Sequence, residues 1–116
     1  MMYRLLSILL LLGGEAFSVY AEMIAARAHS LNNESFLAIF GRAFFQIAVA
    51  GALLIAGYMY GYRSFKNIWI VSALSITSIL LMEPLIGFIV FQQLPTRGAL
   101  LGLIFGALGF AATFVL

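Results

Sequence analysis

Cysteine is missing from all 116 residues, which excludes disulfides, thiolate metal sites and thiol nucleophiles. Charge is nearly as scarce. Only 9% of the residues are Asp, Glu, Lys or Arg, against roughly 25% in a soluble domain, so the chain cannot cover itself with water-compatible surface. One histidine and four acids make no convincing metal cluster, and no cofactor or enzymatic centre is expected. The net charge of +2 arises from six Lys and Arg that lie mostly at the ends of apolar segments. Basic residues so placed anchor helices at a membrane surface. They do not form a nucleic-acid patch, and no nucleic-acid partner is expected.

What the chain does have is hydrocarbon. Hydrophobic residues make up 65% of it and the mean hydropathy is +1.14, so its solvent is largely lipid. The length suits one integral membrane domain spanning residues 1–116. A membrane crossing needs about 20 apolar residues, and four such stretches are present. The first helix is expected from Tyr3 to Ala26, followed by a polar connection from Arg27 to Ser35 whose Asn32-Asn33-Glu34-Ser35 reads as a turn. The second is expected from Phe36 to Tyr62, with a basic turn over Arg63 to Asn67. The third covers Ile68 to Phe91, Gln92 to Thr96 form a hairpin around Pro95, and the fourth runs from Arg97 to Leu116. Open strands are excluded in lipid because their backbone groups would go unpaired, and the alternating segments of a barrel are absent. The expected fold is an all-α bundle of four transmembrane helices.

Arg4, the apolar run Leu5 to Leu12 and Val19-Tyr20-Ala21 together mimic a signal peptide. Glu15 lies inside that segment and favours a retained helix instead. Tyr58, Tyr60, Tyr62, Phe65 and Trp69 cluster around Arg63 and Lys66, as an aromatic belt at one membrane face does; an aromatic cage for a ligand is the sharper alternative. With four crossings, Arg4, Arg63 and Lys66 fall on one side and Arg27, Arg42 and Arg97 on the other. The positive-inside bias is close to nil. Insertion both ways round, or orientation by a partner, would follow.

Two acids stand out by depth. Glu15 lies midway along the first helix, where an ionisable group costs on the order of 2.5–3.5 kcal/mol on insertion scales and usually marks a working site. Ser18, Glu22 and His29 share its arc of the helix. The stripe reads either as a path lined by carboxylates, with Ser18 supporting Glu15 by a hydrogen bond, or as helix-packing glue. Glu83 precedes Pro84, whose missing amide leaves the Leu80 carbonyl without its helical donor and bends the helix. Glu83 therefore either lines a cavity at the bend or pairs with Arg42 or Gln46. Gly98, Gly102, Gly106 and Gly109 form a small-residue ridge on the fourth helix, echoed by Gly57 and Gly61 on the second. Ridges of this kind let helices approach closely, within one chain or between two.

Glu83-Pro84-Leu85-Ile86-Gly87, then Gln92 to Thr96, then Gly98 to Gly109, resembles the last two helices of small multidrug resistance proteins and of the larger drug/metabolite transporters. Gly14-Glu15 resembles the essential membrane carboxylate of the small multidrug resistance family. The resemblance implies an antiparallel dimer, with two copies of Glu15 facing one pocket, and exchange of protons for a hydrophobic cation. Proton and cation would then compete for the same carboxylate. The chain departs from the family pattern at Leu74, where an aromatic residue is usual, at Met23, where a basic one is common, and by the extra acid Glu83. Short four-span relatives also include subunits of flippases for aminoarabinose-linked undecaprenyl phosphate, which act as pairs. The expected site residues are Glu15, Ser18 and Glu83 for proton and substrate, and the fourth-helix glycines for packing or dimerisation. Expected partners are membrane lipid, a second copy or a similar small subunit, and a small-molecule or lipid-linked substrate, in a bacterial inner membrane. A non-transporting helical subunit of a larger membrane complex is the reading from a different class.

Overall fold

The computed structural model describes residues 2–31 and 35–116. Among them the chain forms four α-helices and no strand: α1 (Met2–Leu31), α2 (Phe36–Phe65), α3 (Ile68–Phe91) and α4 (Arg97–Val115). All four are long and apolar enough to cross a membrane, as befits an integral membrane protein. The expected turn at Asn32 to Glu34 lies outside the described residues. α1 runs five residues beyond Ala26 and α2 three beyond Tyr62. Arg27, His29, Arg63 and Ser64 are polar, but a helix satisfies its own backbone and does not end where the hydrocarbon does.

The helix ends are set by local chemistry. Ser35, Asn67 and Thr96 are N-caps, their side-chain oxygens accepting from the amides of Ala38, Trp69 and Ala99. Lys66 and Gln92 close α2 and α3 in the left-handed conformation, each at φ 57°, and donate their amides to Tyr62 and Phe88 carbonyls. The α2–α3 connection is thereby reduced to Lys66 and Asn67, shorter than the expected basic turn.

Packing is densest between α1 and α2, which run antiparallel. Gly14 of α1 sits against Leu54 and the Ala50 carbonyl, Gly57 of α2 against Leu11, and Gly61 against Ser7 and Val71. The buried apolar side chains are mostly small or medium-sized: Leu11, Val19, Ala21, Ala50, Val71 and Ala73 among them. In lipid, close backbone approach and dispersion hold helices together in place of the hydrophobic effect. Two members of the aromatic cluster, Tyr60 and Phe65, are engaged at one end of this pair. Tyr3 stacks on Tyr60 at 5.5 Å, and the guanidiniums of Arg4 and Arg63 lie 5.1 Å from the rings of Phe65 and Tyr3. The chain's own arginines thus supply cations to two of these rings.

α3 packs on both α1 and α2, while α4 touches α3 alone among the described residues. No residue of α4 is buried. Of its glycines, Gly106 alone meets a neighbour, Leu80; Gly98, Gly102 and Gly109 have open space where a side chain would be. The whole is a slab, 48 × 33 × 17 Å along its principal axes.

Candidate functional site

Glu15 is half-buried on α1, close to the middle of the helix. Its carboxylate accepts a 2.8 Å hydrogen bond from the hydroxyl of Ser75 on α3. Ser75 is buried and lies sixty residues away in sequence. α1 and α3 run parallel, each followed by a reversal, so the two residues meet at one level of the bundle. Ser75 was visible in the sequence only as one of several hydroxyls on the third helix. No spacing rule connects residues on different helices, and nothing in the sequence singled it out.

Ser18 does not serve Glu15. Its hydroxyl donates instead to Glu22, at 3.2 Å. A serine at this position has Glu15 three residues before it and Glu22 four residues after it, both within helical reach, and the later acid takes the bond. His29, further along the arc, sets its ring edge-on to Phe36 at 5.7 Å. The expected stripe therefore resolves into separate contacts: Glu15 with α3, Ser18 with Glu22, and His29 with the start of α2. Among the described residues, no basic side chain pairs with Glu15, Glu22 or Glu83.

Glu83 stands apart from Glu15. It is eight residues beyond Ser75, about 12 Å along α3 and roughly 80° around it. It is exposed and lines a cleft of about 550 Å³ between α3 and α4, together with Pro84, Gly87, Phe88 and Gly102. Of the two settings expected for Glu83, a cavity beside Pro84 or a pairing with Arg42 or Gln46, the structure places it in a cleft beside Pro84. Arg42 and Gln46 line a different cleft, between α1 and α2. The Glu83 cleft and the Glu15 site do not merge, so the expected single constellation of Glu15, Ser18 and Glu83 is three places. One to two turns before Pro84, Thr77 and Ser78 return their hydroxyls to the carbonyls of Ala73 and Leu74, a local habit that tends to bend helices. A second cleft of about 440 Å³ opens on the other side of the Leu80–Gly106 contact, between Ser72 and Thr113. The two clefts thus flank the Leu80–Gly106 contact between α3 and α4.

A half-buried carboxylate at mid-membrane depth with one hydroxyl donor and no fixed cation can hold a proton or a cationic group in turn. No group of three or more His, Cys, Asp or Glu is placed to hold a metal ion among the described residues. The chain matches no protein-family model, no curated protein and no solved structure. What fold and composition define is a class: an all-helical integral membrane protein of four spans.

Proposed function

We propose that the chain is a small secondary transporter of a bacterial inner membrane, of the small multidrug resistance and drug/metabolite transporter type. It exchanges protons for a small cationic or amphipathic substrate at Glu15 and works as a pair. The observation that carries this reading is the state of Glu15: deep in the bundle, half-accessible, hydrogen-bonded to Ser75 and not neutralised by any basic side chain of the described chain. A carboxylate kept only for packing would be expected to have a permanent counter-ion, because an unpaired charge in hydrocarbon is costly. Ser75 fixes the orientation of the carboxylate and leaves its charge available to cargo. Pairing is supported by shape, since a slab 17 Å thick cannot enclose a substrate, and by the near-absence of charge bias between the two membrane faces.

The test is transport by protein reconstituted in liposomes, with an imposed proton gradient. Glu15→Gln is expected to abolish proton-coupled uptake, and unchanged uptake would refute the role. Two outcomes would move the assignment elsewhere. Copurifying polyprenyl lipid would point to a flippase subunit for a lipid-linked sugar. A purified chain that is inert and does not self-associate would point to a non-transporting subunit of a larger complex.

A further inference from the structure

The cleft at Glu83 has chemistry of its own. The lining residues from α3 carry two hydrogen-bond acceptors without a partner and no basic side chain. One acceptor is the Glu83 carboxylate, to which nothing among the described residues is bonded. The other is the carbonyl of Leu80, deprived of its helical donor by Pro84. Both Leu80 and Pro84 line the cleft. Side-chain donors in the lining come only from the Gln93 amide and the Thr96 hydroxyl, both in the connection from α3 to α4. The walls are apolar, from Phe88, Phe91 and Leu103. Glu83 is eight residues short of the end of α3, about 12 Å along the helix axis, so what it is exposed to is mainly hydrocarbon. Acceptors without a partner at that depth call for a ligand that is cationic and carries N–H donors.

We propose that the α3–α4 cleft is a binding site, separate from Glu15, for a free lipophilic primary or secondary ammonium. The N–H groups bond the Glu83 carboxylate and the Leu80 carbonyl, and the apolar body lies along Phe88, Phe91 and Leu103. A quaternary ammonium carries charge but no N–H, so it satisfies neither acceptor by hydrogen bonding and binds more weakly. An aminophospholipid is the poorer occupant, because its phosphate sits a few atoms from its amine and would be drawn to the same depth as a carboxylate. The volume, about 550 Å³, falls within the range of ordinary small-molecule sites. The proposal does not depend on proton exchange at Glu15.

The experiment uses the full chain in phosphatidylcholine nanodiscs, with protein-free discs to subtract partitioning into lipid. Dodecylamine is titrated against dodecyltrimethylammonium. Dodecylamine is expected to bind more tightly by a factor on the order of ten, the worth of a charge-assisted hydrogen bond. Glu83→Gln is expected to remove that advantage. Gly102→Leu places a side chain into the open cleft and leaves the Glu83 carboxylate in place, and is expected to weaken dodecylamine binding as strongly; it serves as the test if Glu83→Gln fails to fold. Equal affinity for the two amphiphiles would overturn the proposal, as would dodecylamine binding unaffected by either substitution. Loss of dodecylamine binding in discs containing phosphatidylethanolamine would assign the cleft to lipid. A change in self-association on Glu83→Gln would assign it to a second copy of the chain.

Discussion

Glu15 and Ser75 set the scale at which the chemistry is decided. The hydroxyl contributes one hydrogen bond to a carboxylate, worth about 1.5–3 kcal/mol where the acceptor is charged. Under the transport reading, Ser75→Ala is therefore expected to weaken substrate-linked proton release by roughly ten- to a hundredfold without abolishing it. Ser18→Ala should leave it unchanged, since Ser18 serves Glu22. Proton release on substrate addition, measured in weakly buffered detergent solution, distinguishes the two. Half of this pair was legible in the sequence. An acid within an apolar run announces itself, because so few side chains pay a comparable desolvation cost. Its partner did not, because the rotation and register of α3 against α1 are set by packing between helices. Ser18 shows the same limit within one helix: spacing offered two acids, and only coordinates chose between them.

At the scale of the helices, the glycines divide into those that are filled against and those that are free. A Cβ on Gly57 would come within 2.9 Å of the Leu11 side chain and 3.2 Å of its backbone nitrogen. Gly57→Ala is expected to destabilise the chain by about 1–3 kcal/mol, the usual cost of overpacking, read as a lower thermal midpoint in detergent. Gly106→Ala meets only the end of Leu80, which can rotate aside, and Gly98→Ala meets nothing; both should leave that midpoint close to wild type. In the sequence the fourth-helix ridge was the more conspicuous pattern, yet the tight contacts belong mainly to Gly14, Gly57 and Gly61. A small-residue motif shows that close approach is allowed and leaves open whether a neighbour takes it. The spans themselves were readable to within a few residues. α3 ended where expected, and Ser35, Asn67 and Thr96 are cap residues whose side chains start helices predictably. A second prediction concerns Lys66, held at φ 57°. That conformation costs a non-glycine residue roughly 1 kcal/mol, so Lys66→Gly should raise the midpoint slightly.

For the molecule as a whole, the slab leaves most large apolar side chains facing outward, those of α4 above all. Lipid can cover them, but lipid cannot form the second wall of a pocket at Glu15. Under the transport reading, crosslinking in native membranes should trap pairs, and native mass measurement should find two chains. Gly98→Ile, whose Cβ meets nothing within the single chain, should reduce pairing if α4 forms the seam. The all-helical class and the number of spans followed from composition alone. The slab shape did not, because periodicity shows which face of a helix is apolar, and in this chain nearly every face is.

The four rods are of unequal reach. α1 and α2 have 30 residues each and extend about 45 Å, whereas the 19 residues of α4 reach only about 28 Å. A hydrocarbon layer about 30 Å thick overhangs the short rod while the long pair protrudes or leans. Swapping thin lipids for thick ones would stretch the mismatch at α4 first, and α4 has α3 as its sole neighbour among the described residues. Bilayer thickness is thus a dial on this one element, able to loosen or seat it with no change of sequence.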